Sequence, residues 1–576
     1  PTRSDSSAAS DVYKRQLAAL LAACGEEQPV KSTTQLAPDA LKAHSELFHK
    51  GVEKVTDGVY VAIGYGLANS IMLEGDDGII IVDTMDSAGE ARTVLAEFRK
   101  ITDKPVKAII YTHNHTDHVF GAAGFAEGKD ISVYAHESTS YYINRVVNQI
   151  RPIITARSMR MFGNHLPHGE HINDGIGPHL GITPESELYA LPPTHPFDDR
   201  MSLNIAGIQI ELVHAPGETE DQLYVWLPEK QTVLTGDNIY QTFPNLYTIR
   251  GTYYRDVKQW ANSLDQIRAL GAEHLVPSHT RPVHGQDKVA ELLTDYSDAI
   301  NFVHDQTLRY MNLGLTPDQI VEKVQLPEHL ASNPWLQEFY GKVSWSVRSV
   351  FDGYLGWFSG NPSELQPLAE PEEARRMASL AGGNDALLES AQKALNDNDA
   401  QWALDLSDHL MILMPDNGAV KTLRADALRK LGEKEANPNA RNYYFTVARE
   451  VQDGLKPGFR TQMSDDFLAT LPIENFLHAM PALLKAEETL EENIALGYAF
   501  RDSNKQFTLR IRRGVAKVHD GIDDDVVATL DTTEATWKAI AAGIQNPATA
   551  LAGDDLDIDG STLSAMKVLG YFEKID

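Results

Sequence analysis

The chain has 576 residues, 42% hydrophobic and 23% charged. That composition excludes a mainly disordered or collagen-like chain, and the length fits about three to five domains. Lys and Arg number 51 against 81 Asp and Glu, a net charge of −30, which argues against a partner that must be gripped by a basic face, such as nucleic acid. The single Cys excludes an intramolecular disulfide framework and a Cys-rich zinc finger. The 20 His are more informative, because His is the commonest metal ligand and the proton carrier of neutral pH.

That one Cys closes an apolar run. Lys14 and Arg15 precede residues 17–23 (LAALLAA), which lead into Cys24-Gly25. A basic start, an apolar run and a small-residue junction make a secretory signal. Leu21-Ala22-Ala23-Cys24 resembles a bacterial lipobox, which implies a lipidated Cys24, an outer-membrane anchor and a periplasmic location. Residues 1–24 are thus read as a signal and lipobox region, although the Ser-rich stretch 1–13 is unlike a natural signal start. Residues 25–50 are read as a tether. Later segments do not approach the ~18 apolar residues of a spanning helix, so anchored rather than spanning is the expectation.

From residue 51 strands are predicted over 58–63, 70–73, 78–83 and 107–112, with a helix over 90–101. This order predicts a layered α/β domain over 51–287. Helical spacing then dominates 288–450, with helices over 289–307, 386–395, 402–414 and 419–431 and a Pro-rich inner linker at 361–371. Residues 451–576 read as a small α+β domain: helices over 473–484, 533–542 and 561–569, and strands over 494–500, 506–511 and 515–519.

The stretch Thr112-His113-Asn114-His115-Thr116-Asp117-His118 follows a predicted strand. Its three His and one Asp cannot all face one way on a helix or strand. In a loop they can diverge toward two neighbouring metal ions, and Zn²⁺ accepts both imidazole and carboxylate oxygen.

This motif resembles the metallo-β-lactamase superfamily. The resemblance implies a four-layered αββα sandwich with a two-metal site on one edge. Asp83 matches the family's early Asp, which orients the metal loop; Pro216-Gly217-Glu218, Gly236-Asp237 and Ser278-His279 occupy the places of its later ligand loops. Glu218 in place of the usual His resembles the alkylsulfatase branch. Asn245-Leu246-Tyr247-Thr248-Ile249-Arg250-Gly251, the segment from His304 to Arg309, and Tyr354-Leu355-Gly356-Trp357-Phe358 with Gly360-Asn361-Pro362 resemble that branch too. The middle region is similar to its helical dimerisation domain, and the end, through Leu556-Asp557-Ile558-Asp559-Gly560, to its sterol-carrier-like domain.

The resemblance implies that His113, His115 and Glu218 hold one Zn²⁺, that Asp117, His118 and His279 hold the other, and that Asp237 bridges them. Arg250 and Arg309 match positions that grip a sulfate. It also implies a homodimer, and a C-terminal groove that collects an alkyl chain. The sequence departs from the family in three places. Asp237 stands where Glu is usual. Pro216-Gly-Glu-Thr-Glu220 leaves Glu220 as an alternative to Glu218. Trp345 stands where a His is expected.

The expected activity is hydrolysis of alkyl sulfate esters. The alternatives are another hydrolase of the superfamily, acting on a lactone or other ester, and a lipid-carrier lipoprotein with a vestigial metal site. His165, His168 and His171, in the Gly-rich stretch 164–181, belong either at the substrate mouth or on a solvated loop. His136 is read as structural, and Tyr253, Tyr254 and Trp335 as packing.

Overall fold

The computed structural model describes residues 38–126, 131–167, 169–456, 458 and 465–573. The expected signal and lipobox region with Cys24, most of the tether, and His168 lie outside the described residues.

Strands β1 (Gly51–Thr56), β2 (Val59–Ile63), β3 (Ser70–Glu74), β4 (Ile79–Val82), β5 (Val106–Ile110), β6 (Ser132–His136) and β7 (His195–Phe197) form one sheet in chain order. Its first four strands are antiparallel, and β4 to β7 run parallel. A second sheet holds β8 (Arg200–Ile205), β9 (Ile208–His214), β10 (Leu223–Leu227), β11 (Thr232–Leu234), β12 (His274–Val276) and β13 (Val283–His284), in the order β13-β12-β11-β10-β9-β8. Within it β11 and β12 are parallel.

The Ile-Ile-Ile-Val run of β4 shows why the layers form. Ile80 and Val82 point between the sheets and meet Leu212, Leu223, Val225, Leu234 and Val276. Ile79 and Ile81 point the other way, onto Val94 and Phe98 of helix Ala88–Phe98. A strand buried on both faces reads as an unbroken apolar run, and each such side chain contributes about 1.5–3 kcal/mol. The outer face of the second sheet carries Val213, Tyr224, Val233 and Leu275. These pack on Trp260 and Leu264 of helix Val257–Ala269 and on Leu293 and Ile300 of helix Gln286–Asn312. The result is the αββα sandwich expected from the resemblance.

The domain boundary expected at 287/288 falls in the first turn of helix Gln286–Asn312, whose buried face from Val289 to Val303 packs on the outer face of the second sheet. A separate helical core begins later, among helices Glu370–Ala381, Asn384–Asn396, Ala400–Leu413 and Gly418–Lys434. Helix Pro438–Asp453 then returns to the sandwich, where Glu450 pairs with Arg160 at 2.8 Å and Asn442 donates to Asp174 at 3.1 Å.

The C-terminal region holds a five-stranded sheet of β14 (Asn493–Phe500), β15 (Lys505–Arg512), β16 (Val515–Asp520), β17 (Ala528–Thr532) and β18 (Leu556–Gly560), ordered β16-β15-β14-β17-β18. Its inward side chains, including Tyr498, Phe507, Leu509 and Trp537, pack as a core. Leu468, Leu471 and Phe476 instead join the sandwich's own apolar cluster, beside Ile143, Val147 and Met159. Among the described residues, none of the helices is long and apolar enough to cross a membrane.

Candidate metal centre

The candidate ligands arrive on loops at one edge of the two sheets. Asp83 follows β4, His113 to His118 follow β5, Glu218 lies between β9 and β10, Asp237 follows β11 and His279 follows β12. Because β4 and β5, and β11 and β12, run parallel, their carboxyl ends open on the same side.

Asp83 organises the loops. Its backbone takes a left-handed φ of 60°, costly for a non-glycine residue and characteristic of functional sites. Its carboxylate accepts hydrogen bonds from the Thr112 backbone N–H and hydroxyl, both at 2.9 Å, from His118 Nδ1 at 2.8 Å and from Ser278 Oγ at 2.6 Å. One side chain therefore fixes both the His loop and the Ser278-His279 loop. The bond to Nδ1 leaves His118 Nε2 facing the centre.

Two groups of donor atoms result, His113 with His115 and Asp237, and Asp117 with His118 and His279. Asp237 Oδ2 lies 3.7 Å from His113 Nε2, 3.5 Å from His118 Nε2 and 3.2 Å from His279 Nε2. Its carboxylate therefore lies close to donor atoms of both groups. Glu218 belongs to neither group; it is buried 3.0 Å from the Arg255 guanidinium and within the field of Asp237 and His279. Glu220 is exposed and only its carbonyl is engaged, by His214 at 2.7 Å. The structure thus places Glu218, and not Glu220, at the centre.

These residues fit metal ions. His118 Nε2, Asp237 Oδ1 and Glu218 Oε2 are buried without a hydrogen-bond partner, a state that buried polar atoms rarely keep. Burial, then the charge of His118, hold His113 well below the usual imidazole range. Burial, then His113, do the same for His115. Both are thus neutral, as ligands must be. Burial opposes charge on Asp237, yet His279, His118 and His113 keep its carboxyl well below the usual range. Burial likewise opposes a proton on His118, yet Asp117, Asp237 and Asp83 raise its pKa well above the ordinary value. That is the mark of a cluster whose negative charge calls for a cation.

Beside the centre opens a cleft of about 130 Å³. Its polar end holds His115, Asp117, Asp237, Arg250 and Tyr340. Its walls are apolar, with Phe120, Ile143, Val147, Ile154, Phe162 and Leu180 among them. Arg250 Nη2 donates to His115 Nε2 at 2.9 Å. Its loop is held by Arg157, whose Nε donates to the Arg250 carbonyl at 2.7 Å and whose Nη2 donates to that of Ile249 at 2.5 Å.

Arg309 is not brought to the site. It is exposed on helix Gln286–Asn312, its guanidinium 4.8 Å from the Tyr310 ring centroid, because the buried face of that helix runs through Val303 and Thr307. Trp345 lies on helix Val343–Leu355 under the Lys342 ammonium, 5.6 Å away. His171 pairs with Asp174 at 2.9 Å, and His136 stacks on His214 at 3.8 Å; both roles are structural. The apolar wall of the cleft beside the centre comes from residues between 67 and 188, and Leu468, Leu471 and Phe476 of the C-terminal region pack onto the cluster behind it. Sequence reasoning missed Arg255 and this wall. The Asn245–Arg250 signature continues to Arg255 five residues on, which was the one available signal.

Comparison with known proteins agrees with this architecture. Residues 63–279 match the metallo-beta-lactamase superfamily, 316–454 alkyl sulfatase dimerisation, and 461–576 the alkyl sulfatase C-terminal family. A linear primary-alkylsulfatase of a Pseudomonas strain is 38% identical over 87% of this chain and 98% of its own length. An (R)-specific secondary-alkylsulfatase of Pseudomonas is 29% identical over 91% of this chain and 80% of its own. The solved structure of the stereoselective inverting sec-alkylsulfatase Pisa1 from Pseudomonas superimposes with a TM-score of 0.87 at 26% identity, over 96% of this chain and 88% of that one. With 38% identity to a relative matched over almost its whole length, three family matches in series and the same fold throughout, the chain belongs to the alkylsulfatase family, with a catalytic domain of the metallo-β-lactamase superfamily.

Proposed function

We propose that this enzyme hydrolyses sulfate monoesters of aliphatic alcohols, with water as co-substrate, to the alcohol and inorganic sulfate, using two Zn²⁺ per chain. The observation that carries the reading is the placement of Arg250, where an apolar cleft meets the cluster of metal-ligating residues. An alkyl sulfate has this shape: a tetrahedral anion on an apolar chain. When bound, the two ions would supply positive charge to the sulfate and lower the pKa of water toward neutrality.

The protein's own groups divide the remaining work. His113, His115, Glu218, Asp117, His118, His279 and the bridging Asp237 are the proposed zinc ligands. Arg250 carries a planar, permanently charged fork suited to sulfate oxygens. Its hydrogen bond to His115 is one that a bound anion would compete for, and Arg157 keeps the loop in place meanwhile. Phe120, Ile143, Ile154 and Phe162 exclude water from the chain side and so strengthen the charge interactions at the polar end.

The test is sulfate release from a medium-chain alkyl sulfate, with zinc quantified on the same sample and on Asp237→Ala. Release with about two zinc per chain, lost in the variant, supports the reading. Zinc without release moves the substrate to another ester.

Two further parts of the proposal have their own tests. The match to a dimerisation family, together with exposed Trp357, Tyr354, Leu355 and Leu365, supports a homodimer, checked by light scattering. The lipobox-like residues 21–24 support a periplasmic lipoprotein. There Cys24→Ser should release the chain from the membrane fraction.

A further inference from the structure

Two carboxyl groups that the proposed reaction does not use, one buried and one partly buried, lie between loops that wall the cleft. Asp86, on the turn after β4, is fully buried, and Glu90 lies in the first turn of helix Ala88–Phe98. Their carboxyls crowd the same turn, at Gly66. Asp86 Oδ2 also accepts from the backbone N–H of Gly181 at 2.8 Å and of Leu67 at 3.2 Å.

Both of those loops are shaped for this approach. A Cβ on Gly181 would sit 1.7 Å from Glu90 Oε1. One on Gly66 would sit 3.0 Å from Glu90 Oε2 and 3.1 Å from Asp86 Oδ2. The loops also carry the cleft. Leu67, Leu180 and Ile182 are all wall residues, and the Leu67 carbonyl accepts from His279 Nδ1 at 2.9 Å.

We infer that Glu90, set against Asp86, is a positioning residue for the alkyl chain: the pair locks the Gly66–Leu67 turn to the Leu180–Ile182 wall and so sets the width of the apolar cleft. Two neighbouring carboxyls shielded from water ionise together only at high cost, so the pair keeps one proton at neutral pH. Burial raises the pKa of both, Asp86 further through the charge of Asp117 and Glu90 further through that of Asp86. The other groups facing Glu90 are Lys50 and His179, whose Nε2 is 3.9 Å from Oε1.

This inference rests on the alkyl sulfate reading, and the experiment separates the two. Wild type, Glu90→Ala and Glu90→Gln are compared in KM and kcat for C4 and C12 alkyl sulfates, in zinc content, and in calorimetric binding of octanesulfonate, which has no ester bond to cleave. Glu90→Ala should weaken octanesulfonate binding and raise the C12 KM about tenfold, with the C4 KM, kcat and zinc content near wild type. Glu90→Gln, which keeps a neutral donor, should restore both. In wild type the C12 KM should rise as pH climbs toward about 10, where Glu90 loses its proton, and Glu90→Gln should stay flat. Unchanged binding in Glu90→Ala, or equal losses in both variants, overturns the inference. If Glu90→Ala does not fold, the pH profiles of wild type and Glu90→Gln decide it. A wild type that releases no sulfate overturns the substrate reading alone, and octanesulfonate binding still decides the role of Glu90.

Discussion

Arg255 holds its guanidinium 3.0 Å from the Glu218 carboxylate, and the two side chains are only 2% and 1% exposed. Arg255 also donates to the Asn245 carbonyl, which ties Glu218 to the loop that carries Arg250. Removing one partner of a buried ion pair leaves the other charge unpaired, at a cost of about 3–5 kcal/mol. Arg255→Met should therefore lower the unfolding free energy of the metal-free protein by roughly that amount. Adding Glu218→Met should recover much of it, because a well-packed apolar pair commonly replaces a buried ion pair at little cost. Urea midpoints of the two single variants and the double variant check this, and an Arg255→Met midpoint equal to wild type refutes it.

The two arginines singled out in the sequence should part company in kinetics. Arg250 faces the cleft and Arg309 faces solvent. A donor aimed at developing charge in a water-poor site is worth about 10²–10³ in rate. Arg250→Ala should lower kcat/KM for an alkyl sulfate by at least about a hundredfold. Arg309→Ala should stay within about twofold, as exposed substitutions usually do. Steady-state assays on both variants measure this, and a large loss at Arg309 would place that residue in the site by a route that a single chain does not show.

Asp83 makes four hydrogen bonds, to Thr112 twice, to His118 and to Ser278, but is not itself among the grouped metal-ligating residues. Groups that orient ligands in this way typically account for about 10–100-fold in metal affinity. Asp83→Asn keeps the shape but loses the charge that raises His118. The expected result is metal affinity lower by that factor, with the fold intact, read by competition against a chromophoric chelator and by circular dichroism. Unchanged affinity would make Asp83 a purely structural residue.

What was legible in the sequence follows physical lines. His113, His115, Asp117 and His118 sit in one loop, so their chemistry is dense enough to be read directly. Glu218, Asp237 and His279 were read through family resemblance, and the structure brings all three to the same edge. Arg255 was missed because its meaning lies in a contact across two loops and not in any local pattern. The cleft wall was missed for a related reason. Ile143, Ile154 and Leu180 are ordinary apolar residues until the 139–190 insertion folds over the centre, partly through a π-helical turn at Arg145–Gln149. Where the pattern changes from strands to helices the chain does not leave the sandwich, because the 27-residue helix Gln286–Asn312 packs on its second sheet. β17 and β18 escaped because each is short and preceded by an Asp-rich turn, and β18 is an edge strand alternating Leu and Ile with Asp.

The segment leading into the sandwich should respond to acid through a single imidazole. His44 ends helix Pro38–His44, where its Nε2 donates to the Gly175 carbonyl at 2.7 Å and its ring stacks on Phe339 at 4.2 Å. Burial lowers its pKa from 6.5 to about 4, against the smaller opposing pull of the Gly175 carbonyl. The folded state therefore binds its proton later than the unfolded state does. The stability that His44 contributes is complete above pH 6.5 and is lost as pH falls toward about 4. A shift of this size corresponds to about 3 kcal/mol, enough to release a short segment without unfolding the sandwich. Hydrogen exchange over residues 38–48 should quicken between pH 6.5 and 4, after correction for the intrinsic rate. In His44→Gln, which keeps a donor toward Gly175 but does not titrate, protection should change little over the same range. Equal pH dependence in the two proteins would mean that another group releases the segment.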